Sequence, residues 1–366
     1  MADAGGAAGA GGTPDETNFR PFDSWLKERM YNIGDLPMMR SYKPSILEKG
    51  RMLKLPPPVT LKRQPYRHVD LIEFMNVDEV ASFVRYWQGD LQLCQQRIGF
   101  LYGYYRSDSS YPLGVRAVLE CMYEPKQTPV GTDAFQLLED PFQPVVDKVV
   151  EALGLERIGV IFTHLGREEL LTSQELMQYA RIGWDLRKET HFTKYPLSKQ
   201  VIVTLSPDAQ GAIQPHAFMV ADMLLAFVRD EILMEPDKPN EMKVKEVEKH
   251  QLMPQVLEKG KETKTFDPDW MIVRIADSQP KGTPKKFFQF SKFPRMNRLV
   301  DPTPQDCANY FRSLPSGGPS WKRFSDFHLL LFIAKLFDLE TAINVAKSVA
   351  EKKDIEMEEV LKSIAG

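Results

Sequence analysis

Zinc, thiol and nucleophile chemistry each need particular side chains at particular spacings, and this chain holds few candidates. Its three cysteines, Cys94, Cys121 and Cys307, lie far apart. They build neither a paired-cysteine zinc site nor a disulfide framework. Free thiols in a chain of 366 residues fit a reducing compartment. There is no glycine-rich phosphate loop, no GxSxG elbow and no HExxH pair. Six histidines are scattered, His68, His164, His191, His216, His250 and His328. A histidine in an apolar segment is ordinarily structural, and His328 within Phe327-His328-Leu329-Leu330 is the clearest case. One constellation is more informative. The run Arg157-Ile158-Gly159-Val160-Ile161-Phe162-Thr163-His164 leads into a loop that ends at Leu171-Thr172-Ser173-Gln174-Glu175-Leu176. An earlier run begins Gln96-Arg97-Ile98-Gly99.

The elements that must position these residues follow from periodicity and caps. Strands are expected at residues 69–74, 97–105, 115–123, 157–163, 201–205 and 270–275. A polar loop with Pro112 and Gly114 joins the second and third. Helices are expected after Asn76, with Val80, Phe83, Val84 and Trp87 on one face, and at residues 141–153, 174–182 and 222–233. Asn76 and Ser173 are the expected caps. Residues 18–32 read as a short helix. The order is a mixed α/β (α+β) pattern, a sheet with flanking helices. From Gln305 onward the chain reads as all-helical, with residues 327–337 at the buried centre.

Other stretches read as support. Residues 1–17 are Ala/Gly-rich and read as a disordered tail without a secretory signal. Residues 18–65 form an extended, basic, Pro-rich arm, and three consecutive prolines, Pro56 to Pro58, exclude helix and central strand there. Residues 43–67 carry one acid, Glu48, so an acidic protein surface is one partner and a soluble linker the other reading. Residues 235–268 are Lys/Glu-rich and read as a solvated insertion, partly helical or disordered. Residues 281–298 interleave phenylalanines with basic residues. They read as an alternating strand with phenylalanines inward, rather than a single-stranded nucleic-acid surface. The net charge of −3 argues against nucleic-acid binding, and no apolar run is long enough to cross a bilayer.

The Arg157–His164 run and the loop after it resemble the core of the MPN domain, whose active JAMM members are zinc-dependent deubiquitinases. Their motif holds zinc with two histidines and an aspartate, and an earlier glutamate acts as general base. Carried onto this chain, the first histidine falls on Phe162 and the second on His164. The serine falls on Thr172, the aspartate on Glu175 and the glutamate on Gln96. Phe162 offers no lone pair and Gln96 cannot take a proton. No catalytic residue, metal or cofactor is expected. The plain reading of His164 and Glu175 is that of ordinary surface or loop residues.

Longer strings carry a closer resemblance. They include Tyr66-Arg67-His68-Val69-Asp70, Phe100-Leu101-Tyr102-Gly103, Leu137-Leu138-Glu139-Asp140-Pro141 and Ser325-Asp326-Phe327-His328-Leu329-Leu330-Leu331-Phe332. In order, from about Val59 to Phe337, the chain is similar to the nuclear protein localization protein 4 family. The resemblance implies an MPN-like domain over 66–300 and a helical C-terminal domain over 301–366. It implies a non-catalytic adaptor that pairs with ubiquitin fusion degradation protein 1. That pair binds ubiquitin and polyubiquitin and delivers substrates to the valosin-containing protein unfoldase for proteasomal and ER-associated degradation. Its implied place is the cytoplasm and nucleus, peripherally at the ER membrane, with no direct membrane insertion. The family's N-terminal ubiquitin-like domain is not visible here, nor are its zinc fingers, whose place residues 41–65 take without a cysteine. Two alternatives stay open: a metal-dependent deubiquitinase with a non-standard site, and a structural MPN subunit of another complex.

Overall fold

A computed structural model describes residues 22–47, 55–107, 115–131, 134–186, 197–247, 249–280, 286–315 and 317–355. The expected tail, the Pro112–Gly114 loop, His191 and residues 281–285 lie outside these.

Seven strands form the centre: β1 (Leu71–Phe74), β2 (Ile98–Ser107), β3 (Val115–Tyr123), β4 (Glu156–Thr163), β5 (Val201–Pro207), β6 (Ile213–Val220) and β7 (Ile272–Ser278). Their order, β6-β7-β1-β3-β2-β4-β5, closes through a β5–β6 pairing into a barrel. Pairing is mixed: β7–β1, β1–β3 and β4–β5 are parallel, and the rest antiparallel. The expected α+β class is observed, with the sheet closed rather than open. Closure removes the unpaired edges of an open sheet. The interior is filled by apolar side chains that include Ile72, Leu101, Leu119, Ile161, Val203 and Ile275.

Helices cover the outside: α1 (Val77–Gln88), α2 (Gln143–Ala152), α3 (Ser173–Asp185), α4 (Asp222–Arg229), α5 (Pro304–Ser313), α6 (Phe327–Leu336) and α7 (Leu339–Glu351). A second apolar cluster joins α2 to α7 with the outward faces of β2 and β4. As the apolar run predicts, Phe327 through Ile333 are all buried. A short helix, Phe22–Glu28, lies inside the region expected to be helical.

Four expectations change. Asn76 precedes α1 without a side-chain cap; its amide nitrogen instead donates to the Glu120 carbonyl at 2.9 Å and to Ser291 Oγ at 3.0 Å. Residues 235–268 are built of short strands, with Leu233–Lys238, Glu241–Val244 and Thr265–Phe266 in one sheet. Their lysines point to solvent, while Met242, Val244 and Phe266 are buried, an alternation that few apolar positions reveal in sequence. The Pro-rich arm is extended but docked: Ser45–Ile46 pairs with Gln251–Leu252, and Val59–Thr60 runs parallel to Val256–Glu258. Residues 286–300 form no strand. Phe288 and Phe293 do point inward, but Arg295 is buried rather than solvated.

Arg295 belongs to a buried ion network that ties α1, β3 and α6 together. Glu124 accepts from Arg97 Nε at 2.6 Å, Arg295 Nη1 at 3.1 Å and Arg298 Nη2 at 2.6 Å. Glu79 faces Arg295 at 3.2 Å and His328 Nε2 at 3.2 Å. Burial opposes ionisation of Glu79, but Arg295 and His328 outweigh it and hold the carboxyl at about 2. Glu124, equally buried, is held well below the carboxylate range by its three arginines.

Candidate functional site

β4 ends at Thr163, and its last core side chain is Phe162. That ring is fully buried and packs on Tyr179 of α3 at 5.1 Å between centroids. His164 follows at the strand end, 6% exposed, 6.0 Å from Phe162. Its Nδ1 lies 2.7 Å from the Leu165 carbonyl. A carbonyl can only accept, so this nitrogen carries the proton and donates.

The loop returns to α3 through Thr172. Thr172, not Ser173, is the N-cap: its Oγ1 accepts from Glu175 N at 3.2 Å, and its N–H donates to Glu175 Oε2 at 2.9 Å. This reciprocal capping box is written in the Thr-x-x-Glu spacing itself. Ser173 is occupied elsewhere, its hydroxyl donating to the Lys238 carbonyl.

Glu175 then collects three further hydrogen bonds. Arg167 grips it with both ends of its fork, Nη1 to Oε1 at 3.0 Å and Nη2 to Oε2 at 2.5 Å. Gln96 Nε2 donates to Oε1 at 3.0 Å. Each carboxylate oxygen therefore accepts two hydrogen bonds, which uses its lone-pair directions. Gln96 and Glu175 are buried, as is most of Arg167, in a cleft of about 410 Å³ also lined by Phe135 and Gln178.

The fold thus brings Gln96, Thr172 and Glu175 into one cluster and leaves Phe162 behind it in the core. The plain reading of His164 and Glu175 as ordinary surface or loop residues is corrected, since both side chains are buried and Glu175 is the hub of a hydrogen-bonded set. Sequence reasoning missed Arg167, which lies in an irregular polar loop with no periodicity to mark it. These residues do not fit a zinc ion. Phe162 has no donor atom, Glu175 has no free lone-pair direction, and a guanidinium supplies the positive charge that the carboxylate faces. Among the described residues, no group of three or more His, Cys, Asp or Glu side chains could hold a metal ion. Among them, too, no helix is long and apolar enough to cross a membrane.

Fold and cleft together define an α+β barrel protein whose strand-end cluster is an ion-paired polar set. Residues 97–365 match the model of the NPL4 family. The chain is 30% identical to the rat protein named nuclear protein localization protein 4 homolog, over 84% of this chain and 55% of that relative. It is 29% identical to the fruit-fly homolog, over 77% and 47% of the two chains. The nuclear protein localization protein 4 of the yeast Meyerozyma guilliermondii is 28% identical over 88% and 60%. The chain belongs to the NPL4 family, and it spans about half the length of these relatives.

Proposed function

We propose that this protein is a non-catalytic adaptor of the ubiquitin pathway. It binds ubiquitin and polyubiquitin as a heterodimer with ubiquitin fusion degradation protein 1. It hands substrates to the valosin-containing protein unfoldase for proteasomal and ER-associated degradation. It works in the cytoplasm and nucleus, peripherally at the ER membrane. The observation that carries this reading is the family match over residues 97–365.

The strand-end cluster supports the absence of catalysis in the reading. Hydrolysis by a metal-bound water needs an open coordination position and a base. Here Gln96 stands where the base would be, and Arg167 saturates Glu175. In this proposal the cluster is a fastening: it fixes the loop to α3 and leaves the surface around it to bind. Residues 66–300 act as the MPN-like body and 301–366 as its helical companion.

The test is capture on immobilised polyubiquitin and, separately, on immobilised ubiquitin fusion degradation protein 1. Retention on both is expected. Retention on neither would remove the adaptor reading.

A further inference from the structure

The arm carries a feature that the adaptor reading does not use. Its segment 63–66 separates two clefts. One is about 840 Å³, and its lining includes Tyr42, Pro56 to Pro58 and Met223; the other is about 470 Å³ and is lined by Arg67 and Arg274 among others. Arg63, Gln64, Pro65 and Tyr66 line both, so the clefts adjoin on either side of this strap.

The strap is held rigidly. Gln64 Oε1 accepts from Asp222 N at 2.7 Å, and Tyr66 OH donates to Asp222 Oδ2 at 3.1 Å. His68 Nε2 sits 2.9 Å from the same carboxylate, which is fully buried at the start of α4. A groove wall fixed in this way loses little entropy when a ligand settles against it.

Charge is uneven here. Seven cationic side chains line the two clefts against three carboxylates, in a chain whose net charge is −3. Two of the cations are matched, Arg40 to Asp35 and Arg63 to Asp269. Lys43, Lys62, Arg67 and Arg274 are exposed, with Lys43 also in the field of the buried Asp230 carboxylate. Elsewhere the Lys/Glu-rich surface pairs its charges, as in Lys243–Asp237 and Lys264–Glu262. The larger cleft adds an apolar floor and a wall of prolines, which present no N–H and stay extended.

We propose that these clefts form one groove for an extended acidic peptide segment of a partner protein. An apolar side chain of the peptide enters the larger cleft, and its carboxylates meet Arg67 and Arg274 across the strap and Lys43 and Lys62 at the rim. Arginine forks suit carboxylates, with two parallel N–H donors each. Single-stranded nucleic acid is the poorer fit, because of the three tyrosines lining the larger cleft Tyr42 and Tyr66 are more than nine-tenths buried and Tyr31 alone is exposed, too few for successive bases to stack. The groove is distinct from the Gln96–Glu175 cleft, and its ligand does not depend on the ubiquitin reading.

The test is fluorescence anisotropy with the intact protein and a short labelled peptide of Asp and Glu around a Pro-Leu-Phe core. Saturable binding that weakens with added salt is expected. The Arg67→Glu/Arg274→Glu and Lys43→Glu/Lys62→Glu double variants should each bind at least about tenfold more weakly. The Arg67→Glu/Arg274→Glu variant should keep the parent's circular dichroism and melting temperature, since both side chains are exposed and form no salt bridge among the described residues. A peptide with Asn and Gln in place of its acids should not bind. Equal binding by parent and variants, no binding by the parent, or tighter binding of an oligothymidylate than of the peptide would each overturn the proposal.

Discussion

Glu175 makes the most of its position at the residue scale, because one carboxylate completes the capping box of α3, holds Gln96 and neutralises Arg167. Glu175→Ala leaves a guanidinium that is 9% exposed without its partner. Breaking such a pair from one side costs about 3–5 kcal/mol, readable as a fall in the urea midpoint. Added zinc should leave the melting temperature of the parent and of Phe162→His unchanged, because Arg167 still occupies Glu175; a zinc-dependent rise in either would contradict the assignment. Glu120 gives a pH signature. Burial, reinforced by the nearby Glu73 charge, pushes its carboxyl up to about 7, although the Phe287 N–H and Lys286 pull the other way. A raised carboxyl contributes stability below its unfolded value of 4.5 and loses that contribution as pH rises through about 7. Glu120→Gln should therefore match the parent near pH 4 and exceed it by up to about 3 kcal/mol at pH 8. The substitutions at Phe162 and Gln96 were legible from residue type alone. Arg167 was not, because an ion pair eight residues apart across an irregular loop leaves no periodic trace.

Individual elements explain what sequence reading caught and what it missed. Apolar runs such as those of β4 and β5 are plain in sequence, since parallel or doubly covered strands lack polar alternation. β6, which closes the barrel, has no such run at its start: Gln214 and His216 are exposed, and Pro215 interrupts the propensity. The strands in residues 235–268 are short and mostly solvated, so their charge content masked them. Backbone closeness is equally silent in a single sequence. At Gly159 of β4, an added Cβ would lie 2.1 Å from the Val201 carbonyl oxygen of β5. Gly159→Val should destabilise by about 3 kcal/mol or more in equilibrium denaturation, through strand displacement rather than lost burial. A stability within error of the parent would mean that β4 and β5 do not approach as described.

For the whole molecule, the Glu79–Glu124 network decides how the two halves relate. Arg295, Arg298 and His328 reach it from residues on both sides of position 300. We propose that the boundary near 300 separates kinds of element without separating folding units. A chain ending at residue 300 should lose cooperative unfolding, because Glu79 loses His328 and Phe288 and Phe293 lose the cover of α6. Acid should weaken the intact protein through the same network. The depressed Glu79 carboxyl contributes stability above pH 4.5 that is lost as pH falls toward about 2. In the proposed function the protein holds ubiquitin without cleaving it. The most direct measurement incubates the purified protein with polyubiquitin, with and without added zinc, and follows both complex formation and chain length. A stable complex containing intact chains is expected under both conditions. Zinc-dependent shortening of the chains, lost in Glu175→Ala or His164→Ala variants that still fold, would contradict it.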